Sequence, residues 1–253
     1  MHHLSIALII FACVFCSALL GLFLRTLLPE HHFDDDSIGV VKLAIGLIAT
    51  MAALVLGLLI SSAKSSYDAV NAKVTQEASN VILLDRVLAR YGPQTQQIRS
   101  LLKEDVITGL RQVSSGDPAQ LMRLRGPEAL RRGEYIEQKL EELSPQNDSQ
   151  RRLQARAIEM TNEMLAMREL GLIQAAGSTP NTLLVTLVLW LCIIFGAFGL
   201  FTRPNLTVIT ALFLGSLSTC IAIFLILEMN TPLDGLVTVS LSPMRDALEV
   251  LGH

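Results

Sequence analysis

GVVKLAIGLIATMAALVLGLLISSAKSSYDAVNAKVTQEASNVILLDRVLARY, residues 39–91, begins as a membrane span and runs on with no helix breaker until Gly92-Pro93. As one helix its 53 residues would extend ~80 Å, well over twice the apolar thickness of a bilayer. The stretch therefore predicts a membrane helix that continues into an aqueous domain. One face of it is small and polar: Lys42, Gly46, Thr50, Ala53, Gly57, Ser61, Lys64 and Asp68 recur at spacings of four and three. Such a face either packs closely on another helix or lines water. Its C-terminal half instead carries an apolar stripe, Val70, Val74, Ala78, Val81, Leu84, Leu88 and Tyr91, as a strut of a helical bundle requires.

The other apolar runs fix the class. Residues 4–24, 40–60, 183–201 and 206–227 are almost free of charge, and each has the length of a membrane span. Charged residues make up 17% of the chain, below the ~25% usual for soluble proteins, and 31 of the 43 lie between 64 and 169. The expected fold is an all-α integral membrane protein with four transmembrane helices and a cytoplasmic helical domain between spans two and three. The expected division is 1–62 for spans one and two with a short acidic outer loop, 63–178 for the helical domain, 179–229 for the hairpin of spans three and four, and 230–253 for a cytoplasmic tail. The first run is read as a retained span, because its apolar core is too long for a signal peptide and no A-x-A pattern follows. Cys13, Cys16, Cys192 and Cys220 all fall inside predicted spans, where they act as small apolar side chains.

Charge sets the expected orientation. Residues 63–181 carry sixteen Lys and Arg, with Lys64 and Lys73 beside span two. The loop RTLLPEHHFDDDS is acidic and TRPN has a single Arg. The positive-inside bias then puts both termini and the helical domain in the cytoplasm of a bacterial inner (plasma) membrane, multi-pass, with the two short loops outside.

Within the helical domain, helices are expected over 94–113, 128–143 and 150–174. Pro127 suits a first helical position. Leu153, Ala157, Met160, Met164 and Met167 form an apolar 4-3-4-3 stripe that suits antiparallel packing on the long helix. After span four, residues 236–241 have extended character and Ser242-Pro243 caps a last short helix.

Catalytic signatures are missing from the sequence. There is no phosphate-binding or dinucleotide glycine motif, no G-x-S-x-G and no H-E-x-x-H. The histidines are His2, His3, His31, His32 and His253, none of them in the helical domain. Carboxylate pairs such as Glu141-Glu142 read as solvated helix faces. Neither an enzyme activity nor a cofactor is expected. His31-His32 with Asp34, Asp35 and Asp36 is a cation site at the outer mouth or a solvated cluster. Arg123, Arg125, Arg131 and Arg132 lack interleaved aromatics, so nucleic acid is not an expected partner.

LVLGLLISSAKSSYDA (54–69), ILLDRVLARYGP (82–93), LEMNTPLDG (227–235) and VSLSPMRDAL (239–248) resemble a bacterial family of bestrophin-like membrane proteins of unknown function, the DUF4239 type, itself distantly similar to the bestrophin anion channels. The resemblance spans essentially the whole chain. It implies a homo-oligomer, a pentamer by the bestrophin pattern, in which the second span lines an ion pore. Span two here has no aromatic residue, so a constriction at Leu54, Leu58 or Ile60 would be aliphatic. Near the membrane the tail offers only Glu228 and Asp234, too few oxygens for bestrophin-type calcium gating.

Two functions are therefore expected as alternatives. One is an oligomeric channel for small inorganic ions, anions in particular, with Thr50, Gly57, Ser61, Lys64 and Asp68 lining the pore. The other is a non-conducting scaffold or sensor whose helical bundle binds a partner, with the polar face serving as a helix-packing seam.

Overall fold

A computed structural model describes residues 2–27, 35–117, 119–120, 126–176, 181–231 and 238–252. Regular structure among the described residues is helical throughout: α1 (His2–Leu27), α2 (Asp35–Tyr91), α3 (Gln96–Ser114), α4 (Pro127–Glu141), α5 (Asp148–Ala176), α6 (Asn181–Leu200), α7 (Leu206–Met229) and α8 (Ser242–Val250). Four helices are long and apolar enough to cross a membrane, over His3–Leu27, Gly39–Tyr91, Thr182–Leu200 and Leu206–Met229. The protein is an all-α membrane protein, as its apolar runs predict. The chain divides into two compact units, and α2 contributes to both, changing unit between Tyr67 and Asp68.

The first unit holds α1, the N-terminal part of α2, α6 and α7. Its core gathers Ile10, Val14, Ala18 and Leu22 of α1, Leu187, Leu191, Ile194 and Phe195 of α6, Leu212, Ile223 and Ile226 of α7, and Ala52, Leu59 and Ala63 of α2. Close packing through small residues occurs between α1 and α6. A Cβ built on Gly21 would overlap the Gly196 carbonyl oxygen, and one on Gly199 would overlap the Ala18 carbonyl oxygen. The two backbones are in contact there, and the Ser17 hydroxyl donates across the seam to the Cys192 carbonyl at 2.7 Å. In an apolar medium such van der Waals fit and interhelical hydrogen bonding replace the hydrophobic effect as the force joining helices. Phe11 stacks on Phe15, and both meet Phe213 of α7 edge-on, with centroids 5.5 Å away.

The second unit is a helical bundle built from the C-terminal part of α2 with α3, α4, α5 and α8. The α2 stripe turns inward as its spacing requires: Ala78, Val81, Leu84, Leu88 and Tyr91 are buried, while Val70 and Val74 are half-buried. They face Ile98, Leu102 and Val106 of α3, Ile136 and Leu140 of α4, and Ala157, Met160 and Met164 of α5. Gly92 ends α2 at φ +130°, a value open to glycine, and Pro93–Thr95 forms one 3-10 turn into α3. Thr95 is fully buried, and its hydroxyl lies 2.6 Å from the Leu88 carbonyl and 2.8 Å from that of Gly92, which also accept from the Gly92 and Thr95 backbone N–H groups. Gln150 of α5 donates to the Tyr91 carbonyl at 2.9 Å, which joins the end of α2 to the start of α5. Pro127 stands in the first turn of α4, as predicted.

Four local expectations change. Asp35 and Asp36 belong to the first turn of α2 rather than to a loop. Met167 is 37% exposed, and the inward position after Met164 passes to Arg168. A seven-residue step from Met160 lags the 3.6-residue pitch by ~20°, so the stripe drifts off Met167. Described residues 238–241, read as extended, form no regular element, and Val239 among them is buried. Leu241, not Ser242, is the N-cap of α8, and Ser242 and Pro243 are its first two residues. Residues 238–252, read from the sequence as a tail of their own, group with the bundle. The His31-His32 and Asp34 cluster, Arg123, Arg125 and Asp234 lie outside the described residues.

Candidate functional site

The polar face of α2 is a surface of the protomer. Lys42, Gly46, Thr50, Ala53, Gly57, Ser61, Lys64 and Asp68 are all exposed. Nothing lies within 4 Å of a Cβ built on Gly46 or Gly57, so these glycines form no packing seam within the chain. The side of α2 that packs in the first unit is the opposite one, along Ile45, Ile48, Ala52, Val55, Leu59 and Ala63. At ~100° per residue, the Ala52–Leu59–Ala63 line sits roughly 180–220° around the helix from Thr50. This placement leaves α2 thinly covered. Only 11% of its apolar window is buried, against 33% for α1 and 28% each for α6 and α7.

The five candidate residues share this single face. The Thr50 hydroxyl donates to the Leu47 carbonyl at 2.7 Å, which leaves its oxygen lone pairs facing outward. Lys64 Nζ lies 5.6 Å from the centroid of the Tyr67 ring, within cation–π range. Asp68 follows Lys64 one turn on, and the division between the two units falls between Tyr67 and Asp68. Leu54, Leu58 and Ile60 are exposed at 75%, 62% and 43%. Leu54 and Leu58 flank the face on one side and Ile60 on the other, so large aliphatic side chains border the small ones.

Sequence reasoning missed a second constellation, a set of buried ion pairs in the bundle. Asp105 of α3 is 8% exposed and accepts from Arg132 of α4 at 2.7 Å and from Arg168 of α5 at 3.0 Å. Arg168 reaches on to Glu77 of α2 at 2.9 Å, so four helices meet at one charged junction. Asp85 of α2, 5% exposed, accepts two parallel bonds from Arg99 of α3 at 2.7 and 2.9 Å. Burial opposes the charge of Arg168, but Asp105 and Glu77 outweigh it and raise its pKa. The bond to Asp85 likewise raises that of Arg99. A raised basic pKa stabilises the fold at every pH below the unfolded value and is lost only above it, so both guanidiniums stay charged through the neutral range. Arg132, from the basic cluster that lacks aromatics, belongs to this junction. The signal was available, because Asp85 and Asp105 interrupt apolar stripes and buried carboxylates are rare unless paired.

Four apolar helices, a mostly uncovered second span and a helical bundle define a polytopic membrane protein. A family model described as the bestrophin-like domain matches residues 12–244, and the chain belongs to that family. The fold is similar to crystal structures of a bacterial bestrophin homologue from Klebsiella pneumoniae, determined as two point variants. For the tyrosine-to-alanine variant the TM-score is 0.55 at 16% identity, covering 95% of this chain and 99% of that one. For the isoleucine-to-threonine variant the TM-score is 0.55 at 17% identity, covering 95% and 98%. No curated protein matches the chain.

Proposed function

We propose that this protein is an oligomeric, bestrophin-like membrane channel for anions, with the polar face of α2 turned to the pore. The observation that carries the reading is the two-sidedness of α2. One side joins the core of the first unit, while on the small and polar side no atom of the protomer lies within 4 Å of a Cβ built on Gly46 or Gly57. In a bilayer, hydroxyls and ammonium groups on a helix surface favour water or a polar neighbour over lipid. A ring of copies with this face on its axis satisfies all of them at once. Thr50 and Ser61 then offer hydroxyls along the pore, Gly57 widens it, and Lys64 with its neighbouring serines sets a positive field at one mouth, tempered by Asp68. The homo-oligomer, its pentameric order, the inner-membrane location and cytoplasmic termini belong to the same proposal, supported by the charge asymmetry and by family membership.

The scaffold reading keeps one favourable observation: Gly46 and Gly57 leave room for a neighbouring helix to approach closely. Chloride and potassium flux measured in proteoliposomes separates the two. Chloride flux above that of empty vesicles is expected, and no flux of either ion across a range of voltages sides with the scaffold. Lys64→Glu changes the local charge by two. At about one Debye length in water this is worth roughly 1 kcal/mol, an expected fivefold fall in the chloride-to-potassium permeability ratio. An unchanged ratio removes Lys64 from the pore.

A further inference from the structure

Two of the stretches that carry the family resemblance, 82–93 and 239–248, come together in the bundle, and the proposed pore makes no use of their meeting. Met244 and Leu248 of α8 pack on the cluster that contains Val81, Leu84 and Leu88 of α2. Ala247 is fully buried and Leu251 is 1% exposed. Two polar contacts close the end of the chain. Lys103 Nζ of α3 donates to the Leu251 carbonyl at 3.0 Å, placing a cation at the carbonyl end of α8. Gly252, at φ +93°, turns its N–H toward Asp85 of α2 at 3.4 Å.

We propose that α8 with residues 251 and 252 is a latch, which opens independently of the rest of the bundle and in opening loosens the C-terminal end of α2. Three features make opening inexpensive. The helix has nine residues, fewer than the ~12–15 that an isolated helix needs, so it holds its form only while docked. The bond from Gly252 to Asp85 is long at 3.4 Å, so little is lost when it breaks. Asp85 keeps both bonds from Arg99 when Gly252 leaves, so no buried carboxylate is stranded. What opening removes is the apolar cover that Met244, Leu248 and Leu251 give the cluster holding Leu84 and Leu88, and the third donor to Asp85. The affected turns lie on the same continuous helix as the candidate pore face. The effect on ion flow rests on the pore reading above, whereas the latch itself does not.

Amide hydrogen exchange on the full chain in lipid nanodiscs tests it. In the unaltered protein, amides of 244–250 are expected to exchange at least ~10-fold faster than those of 84–88. Equal rates would make α8 an integral part of the bundle core and overturn the proposal. Lys103→Met removes the bond to the Leu251 carbonyl without touching Asp85. It is expected to speed exchange severalfold at 244–250 and also at 88–91, with 98–110 unchanged. Leu251→Ala, a larger loss, is expected to do the same more strongly. Faster exchange at 244–250 with none at 88–91 overturns the coupling to α2. Chloride flux of Lys103→Met in proteoliposomes is expected to differ severalfold from that of the unaltered chain, and equal fluxes overturn the regulatory consequence. Flux absent from both counts against the pore, while exchange still decides the latch.

Discussion

Gly199→Ala is expected to cost about 3 kcal/mol or more and to lower the thermal midpoint of the detergent-solubilised protein by roughly 10 °C. The added methyl would overlap the Ala18 carbonyl oxygen and approach the Leu22 amide nitrogen to 2.8 Å. Both obstacles are backbone, so no rotamer change relieves them and α1 and α6 must move apart. Separation also stretches the 2.7 Å bond from Ser17 to the Cys192 carbonyl. Gly21→Ala meets the Gly196 carbonyl from the other side and is expected to behave alike. The contrast lies on α2. Gly46→Ala and Gly57→Ala meet no atom of the protomer, and alanine is the better helix former, so both are expected to leave its folding intact. Size-exclusion profiles after a heating series read this directly. Equal midpoints for Gly199→Ala and Gly57→Ala would sink the assignment of the seam to α1 and α6. A loss of oligomer in Gly57→Ala alone would point to packing between copies.

Asp105→Ala is expected to destabilise the bundle by about 3 kcal/mol, since it strands two arginines at a junction where four helices meet. Arg132 and Arg168 have side chains 32% and 27% exposed, so water compensates them only in part. Arg156→Ala breaks a pair whose side chains are 55% and 58% exposed, and it is expected to leave stability nearly unchanged. Chemical denaturation followed by helicity gives both values. Replacing Asp105, Arg132 and Arg168 together with leucine and methionines is expected to recover most of the loss, because no buried charge is then unpaired. A triple variant as unstable as Asp105→Ala would show that the junction contributes more than mutual charge satisfaction.

The four spans were legible because apolar run length is a local property and a bilayer demands ~20 residues of it. The inward stripe of Val81, Leu84 and Leu88 was legible because helical periodicity repeats every few residues. The Met167 position failed for the same reason, since a heptad spacing and a 3.6-residue helix part company after two turns. The charged junction was not legible as a set. Asp105 interrupts an apolar stripe, but its partners in the junction, Glu77, Arg132 and Arg168, are scattered over ninety-two residues, and each of them alone resembles an ordinary solvated charge. The docking of α8 on the bundle was hidden likewise, because its contacts with Asp85 and Lys103 bridge separations of 167 and 148 residues.

The small residues of α2 show most clearly where sequence ends. Spacing alone determined that Lys42, Gly46, Thr50, Ala53, Gly57, Ser61 and Lys64 share a face. It did not determine whether that face is packed, because glycine suits both close helix contact and open surface. Gly21, Gly196 and Gly199 are glycines in apolar helices just as Gly46 and Gly57 are, yet only the former bring two backbones into contact. Which glycines touch depends on which helices become neighbours, and that is fixed by the joint fit of all four spans, where Ala52, Leu59 and Ala63 claim the opposite side of α2. Tertiary structure thus turned a set of small residues into an uncovered polar surface, and the pore proposal rests on that surface.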